Sequence, residues 1–286
     1  MYGYLLQRIM AENVDYGKQL AEMKAYMESR FMPLEGRQEI LGHMRELSER
    51  SCEEYPEICS IVTAGSLTRG DFILGTSDFD IAAVFYGEPC PDAIDTLRTG
   101  AEKGFSKYFG HSAHGKWAYD LQSARLDQIP RENKNPEIFC PLGLFNYRAF
   151  DTKECGVVLC GENILKDLVV RDPKPDSPER IQRLFLMYNN CPSKEPLEID
   201  IWKIIHTGDI IKAAQIYFGG KTYFKTEVLE GFVDCVPDFE GKVFIFDFFE
   251  EYLDLDYFSK NDKASFMKRQ TAFLSGLLDI FGIGGG

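Results

Sequence analysis

The stretch Gly65-Ser66-Leu67-Thr68-Arg69-Gly70-Asp71-Phe72-Ile73-Leu74-Gly75-Thr76-Ser77-Asp78-Phe79-Asp80 decides how this chain is read. The apolar run Ile61-Val62-Thr63-Ala64 ahead of it predicts a strand, Gly65-Ser66 a tight turn into a short helix, and residues 71–78 a polar loop. Phe79-Asp80-Ile81-Ala82-Ala83-Val84-Phe85 then predicts a second strand, buried except where its first residues open into a cleft. Asp78 and Asp80 stand two apart at its opening, so the two-residue period puts both carboxylates on one side and turns Phe79 into the core. Carboxylates converging on one point repel, and a divalent cation resolves the repulsion. Hard oxygen ligands favour magnesium, which keeps several waters and recruits phosphate oxygens. Gly65 permits close backbone approach, and Ser66 with the first amides of the short helix can hold terminal phosphates. Two acids spaced by two also occur as ordinary turn or surface residues, so the residues alone leave that plainer reading open.

Outward from this stretch, the N-terminal side is helical. Leu6, Met10, Val14, Leu20, Met23 and Met27 recur at roughly helical spacing over residues 4–29, and Ile40, Met44 and Leu47 share one face of a second helix reaching to about residue 50. On the C-terminal side, Pro91 starts a helix running toward residue 105. Residues 116–121 predict a third strand, with Lys116, Ala118 and Asp120 on one face, and residues 156–161 a fourth. The proline-rich, charged segment 171–178 separates this mixed region from a helical remainder, with helices expected from 178, over 198–217, 226–235 and 262–281. The division is therefore N-terminal helices over 1–57 packing on the sheet, a catalytic region over 58–172 and a mainly helical domain over 173–286. The class is α+β.

The chain has 286 residues, 44% of them hydrophobic and 27% charged, which excludes full disorder. Its formal charge of −13 argues against a surface that grips nucleic acid everywhere, while leaving a local cleft open. Residues 226–262 carry eleven acidic side chains and two basic ones, and read best as a solvated face. The eight cysteines lack a paired CxxC pattern, so a structural zinc site is not expected and reduced thiols are. Arg8 and Glu12 interrupt the opening residues, and no stretch approaches 18 uncharged apolar residues. The expectation is a cytoplasmic protein with no signal peptide and no membrane span.

The pattern GS, three residues, G, then DFD followed by IAAVF resembles the signature of the nucleotidyltransferase superfamily related to DNA polymerase beta, which includes minimal and antibiotic nucleotidyltransferases and tRNA CCA-adding enzymes. The resemblance covers residues 60–86 most firmly and extends usefully to about 165. It implies a nucleotidyltransferase-type mixed sheet with flanking helices. It implies that Gly65 and Ser66 hold a triphosphate, that Asp78 and Asp80 hold Mg2+, and that a third carboxylate lies on a neighbouring strand. Asp120 matches that place, with Asp127 the competitor. It also implies an NTP as substrate, ATP first, whose monophosphate passes to an acceptor hydroxyl with release of pyrophosphate.

Arg69, Lys116 and Arg148 are candidate phosphate cations. In the helical remainder, His206, Asp209 and Lys212 recur at helical spacing, with a satisfied surface face the plainer reading. Trp202 reads as core before stacking platform, and His111 and His114 as loop residues. The acidity and two-domain length favour a small cationic acceptor such as an aminoglycoside. Nucleotidylation of tRNA or protein is the alternative, and a catalytically inactive nucleotide-binding or interaction module is the reading from another class.

Overall fold

Two central strands, β1 (Ile58–Ala64) and β2 (Phe79–Phe85), are buried at every residue in a computed structural model of the chain. The structure describes residues 15–109, 119–132, 140, 142–220, 222–255 and 263–283, with the side chains of residues 105–109, 119 and 120 outside the description. β1 runs antiparallel to β2 and to β4 (Val157–Gly161), and β2 runs parallel to β3 (Tyr119–Arg125), giving the order β3-β2-β1-β4. The parallel β2–β3 pair requires a crossover, which the helix Pro91–Phe109 supplies. The strand expected at 116–121 continues to Arg125, and residues 116–118 lie outside the described residues.

Both faces of the sheet are covered, so the central strands are nearly continuously apolar instead of alternating. On one face the helices Leu34–Glu54 and Pro91–Phe109 bring Ile40, Met44 and Leu97 against Ile61, Phe79, Ile81 and Phe85. Ile40, Met44, Ser48 and Ser51 are the buried positions of the first of these helices, at the spacing of one helical stripe. A Cβ on Gly100 would stand 2.4 Å from a Leu47 methyl, so glycine is what lets the two helices cross closely. On the other face, the turn Gly143–Phe145 and the helix Ala149–Cys155 pack Leu144, Phe145 and Ala149 on Val62, Ala82 and Val84. Neither element was expected from the sequence. The period of two sorts Phe79, Ile81 and Ala83 to the first face, and Asp80, Ala82 and Val84 to the second.

The described residues form two units. One holds residues 31–176 and 222–224; the other holds the residues up to 30, those from 177 to 220 and those from 225 on. The linker at 171–178 thus contains a division between Asp176 and Ser177. At the N-terminus the grouping differs from the sequence pattern, which assigns both helices of 1–57 to the sheet. Only Leu34–Glu54 belongs there; Tyr16–Arg30 joins the helical unit, where Lys24 Nζ donates to Glu230 Oε2 at 2.7 Å and Tyr16 meets the Phe246 ring.

The helical unit also contains Ser177–Asn189, Pro196–Tyr217, Lys225–Cys235, Phe244–Tyr252 and Lys263–Ile280. The described acids of 226–262 lie exposed or half-buried, as a solvated face requires, and Phe244–Tyr252 adds a buried apolar side beneath them. Its Phe244, Ile245, Phe246, Phe248, Phe249 and Tyr252 are buried, and Phe244 meets the rings of Phe266 and Phe273. The acids of the segment sit between these aromatics and lie toward the surface at Asp247 and Glu250.

The expectation of wholly reduced thiols is also corrected: Cys52 and Cys160 form a disulfide. The end of Leu34–Glu54 packs over β4 and brings their Cα atoms to 6.7 Å, within the range such a bond spans. The other six cysteines are free.

Candidate functional site

β1 ends at Ala64, whose Cα partner across the sheet is Asp80. The chain then turns at Gly65, with φ 82° and ψ −155°, a conformation essentially restricted to glycine. A Cβ there would lie 2.0 Å from Asp80 Oδ2 and 2.9 Å from Arg148 Nη2. The turn therefore closes directly on a carboxylate, and any side chain at 65 would occupy that space. Ser66–Arg69 follows as the expected short helix, whose internal bonding begins with Arg69 N–H to Gly65 O at 2.9 Å. Gly70, at φ 111°, ends it in the left-handed region.

The loop that returns to β2 is fixed at several points. Ser77 N–H donates to Ile73 O at 2.8 Å while Ile73 N–H donates to Ser77 Oγ at 2.9 Å. Phe72 stacks on Phe79 with centroids 5.3 Å apart, and Met32 N–H donates to Phe72 O at 2.7 Å. This loop delivers Asp78, half-buried, and Asp80, buried, to the start of β2. Thr63 Oγ1 donates to the Asp80 carbonyl at 2.8 Å and holds the backbone of the site to β1. Asp120 is the direct register partner of Asp80 on β3, so the two backbones lie side by side. Asp127, the competing third acid, pairs with Arg125 at the exposed end of β3.

Asp80 carries a bidentate guanidinium. Arg148 Nη1 donates to Oδ1 at 2.9 Å and Nη2 to Oδ2 at 3.0 Å, with the carboxylate 3% exposed and the arginine 18%. Arg148 also stands 3.7 Å from Asp151, and its guanidinium carbon lies 5.8 Å from the centre of the Tyr223 ring. Burial works against its charge, but Asp80, Tyr147 and Asp151 outweigh that and hold it protonated well above the ordinary arginine range. Tyr223 stacks on Phe150 and donates its hydroxyl to Tyr147 O at 3.3 Å.

Arg69 is committed elsewhere. Its Nε and Nη2 donate to Asp71 at 3.1 and 3.2 Å, and Nη1 donates to Asp151 Oδ2 at 2.7 Å. Asp71 is 0% exposed and Asp151 3%, so these are buried, paired charges. Burial lowers the Arg69 pKa, but Asp71 and Asp151 raise it more, leaving it above its ordinary value. The sequence pattern assigns neither Asp71 nor Asp151 a role in the site. The signal for Asp71 was an acid lodged between Gly70 and the apolar Phe72-Ile73; Asp151 offered only its i,i+3 spacing from Arg148.

Lys116, His111 and His114 lie outside the described residues. Among the described residues, no group of three or more His, Cys, Asp or Glu side chains is placed to hold a metal ion. In the helical unit, His206 is buried, its Nδ1 2.8 Å from Trp202 O and its ring 4.1 Å from the Trp202 ring, while Lys212 pairs with Asp209 at 3.0 Å. Trp202 Nε1–H donates to Met187 O at 2.6 Å. Among the described residues, no helix is long and apolar enough to cross a membrane.

Neither a protein-family model nor a curated protein matches the chain.

Proposed function

We propose that the chain transfers a nucleoside monophosphate from an NTP, with ATP the first to test, to an acceptor hydroxyl and releases pyrophosphate. The observation that carries this reading is the closure of the Gly65 turn on Asp80: a side-chain-free backbone faces a buried carboxylate at a distance where even a methyl group does not fit. That contact sets the Asp80 carboxylate against the turn, so a cation held by the carboxylate would stand beside phosphate oxygens seated at the Ser66 end of the short helix. The donor set fits Mg2+, since magnesium takes one or two carboxylates and completes its shell with water and phosphate. Asp80 already binds a cation, the Arg148 guanidinium, with both oxygens.

In this reading Asp78 and Asp80 hold the metal and Asp120 is the third carboxylate. Gly65 and Ser66 seat the terminal phosphates, with the first amides of Ser66–Arg69 directed at them. When bound, Mg2+ supplies charge stabilisation at the phosphates and acidifies the attacking hydroxyl. Asp120 is the candidate to accept that hydroxyl's proton. Arg69 acts through Asp71 and Asp151, as the anchor that fixes the turn. A small cationic acceptor remains the favoured class, on acidity alone.

The Arg148–Asp80 pair supports a second reading, a module that binds nucleotide without transferring it, because the pair already neutralises the carboxylate. NTPs labelled at the α-phosphate, incubated with Mg2+ and separate pools of aminoglycosides, tRNA and protein, distinguish the two. Transfer is expected with one pool, together with pyrophosphate, and is expected to be lost in Asp78→Ala and Asp80→Ala. Nucleotide binding without pyrophosphate from any pool would establish the second reading.

A further inference from the structure

We propose that Arg148 is an exchangeable counter-ion of Asp80: its guanidinium occupies the carboxylate until a divalent cation takes that place, and then moves to the phosphate oxygens of the bound nucleotide. The inference rests on the metal-nucleotide reading of the site and specifies how the site passes from its resting to its loaded state.

Three observations support it. First, both Asp80 oxygens are engaged by Arg148, so a cation approaching the same oxygens must displace two charge-assisted hydrogen bonds. Second, the displaced group has a nearby anionic destination. A Cβ on Gly65 would lie 2.9 Å from Arg148 Nη2, so the guanidinium already touches the turn proposed to seat the phosphates. A planar, permanently charged fork grips phosphate in the same two-pronged way that it grips carboxylate. Third, Arg148 retains support when it leaves Asp80. Asp151 stands 3.7 Å away and the face of Tyr223 lies within cation–π range, with Tyr223 itself held by Phe150 and the Tyr147 carbonyl. Arg69 has no comparable freedom, because it is 9% exposed and bound by two buried carboxylates. Arg148 sits one residue ahead of the helix Ala149–Cys155, so a change of its side-chain rotamer leaves the packed helix undisturbed.

Mn2+ binding to the full chain, followed by electron paramagnetic resonance without nucleotide, reads the first half of the exchange. Arg148→Gln is expected to bind Mn2+ about tenfold more tightly than the parent, because no resident cation competes. Arg148→Lys, a point charge that cannot grip both oxygens, is expected to fall between them and keeps the comparison available if the glutamine variant does not fold. Calorimetric titration with a non-hydrolysable ATP analogue in saturating Mg2+ reads the second half, and there Arg148→Gln is expected to bind about tenfold more weakly. Unchanged Mn2+ affinity in every folded Arg148 variant overturns the exchange, as does unchanged nucleotide affinity. Asp80→Asn separates this failure from failure of the site itself. If it abolishes Mn2+ binding while the Arg148 variants leave the affinity unmoved, only the exchange is wrong. If Mn2+ binds equally well to Asp80→Asn, the metal site is wrong and the exchange falls with it.

Discussion

Gly65→Ala tests the geometry at the centre of the site without replacing any charged group. The substitution places a methyl at φ 82°, ψ −155°, which costs about 1–3 kcal/mol in backbone strain. Its Cβ would also lie 2.0 Å from Asp80 Oδ2 and 2.9 Å from Arg148 Nη2, so the carboxylate must withdraw by an ångström or more. Breaking a buried ion pair outright costs about 3–5 kcal/mol, and a partial separation roughly half of that. The two effects together destabilise the sheet unit by about 3–5 kcal/mol. At about 2–4 °C per kcal/mol for a unit of this size, its melting transition falls by roughly 6–20 °C. Urea unfolding followed by circular dichroism, with a thermal scan alongside, measures the loss. Gly42→Ala is the control: it lies inside the helix Leu34–Glu54 with nothing within 4 Å of its new methyl, and it should stabilise by about 0.5–1 kcal/mol. A Gly65→Ala loss below 1 kcal/mol would refute the close approach of the turn to the carboxylate.

The buried arginine should matter more to folding than any exposed one: Arg69→Met leaves Asp71 and Asp151 short of a partner and should cost about 3–5 kcal/mol in urea unfolding, against at most about 1 kcal/mol for Arg98→Ala, which loses only an exposed pair with Asp95. In the helical unit, burial raises the Asp209 pKa but Lys212, Arg180 and His206 outweigh it and bring the folded value to about 2. Because the folded pKa is depressed from 3.8, this contribution to stability is complete above about pH 4 and is lost as pH falls toward 2; the stability gap between the parent and Lys212→Met should close over that window. The Cys52–Cys160 bridge closes a loop across 108 residues, so a reductant should lower the stability of the sheet unit by about 2–4 kcal/mol, and Cys52→Ser should show the same loss with no further response to reductant.

What the sequence made legible were the features whose cause is local. Gly65, Gly70 and the Asp78-Phe79-Asp80 alternation are dictated by backbone conformation and by the period of a strand, and the turn, the short helix and β2 follow from them. The helices at 177–189, 196–217 and 263–280 announced themselves by length and periodicity. Two short elements did not. Ala149–Cys155 is seven residues long and carries Asp151 on its buried side, so a helical pattern had no room to repeat. Phe244–Tyr252 does keep a helical period, with Asp247, Glu250 and Glu251 on one side and six buried apolar residues on the other, but it is only nine residues long and its acids drew attention to charge instead. Asp71, Asp151 and the partners of both arginines were illegible for a further reason: their pairing depends on which loop folds over which face of the sheet, and that is a tertiary fact.

The same tertiary arrangement decides which arginine is free to act. Asp151 lies between the two guanidiniums, 2.7 Å from Arg69 and 3.7 Å from Arg148, so it is a full partner to one and a weaker neighbour to the other. Moving Arg69 would take its guanidinium away from two carboxylates that are 0% and 3% exposed, a cost on the order of several kcal/mol with no ligand placed to repay it. Moving Arg148 strands only Asp80, and Asp80 is the group a divalent cation would neutralise in the same step. The charge count therefore favours motion at Arg148 alone, and it ties that motion to metal and nucleotide arriving together: a cation without phosphate leaves the guanidinium no anionic destination but Asp151, and phosphate without a cation meets Asp80 still paired. A site built this way should bind Mg2+ and nucleotide each more weakly alone than in each other's presence, a coupling that Arg148→Gln should reduce while leaving the Arg69 pairs intact.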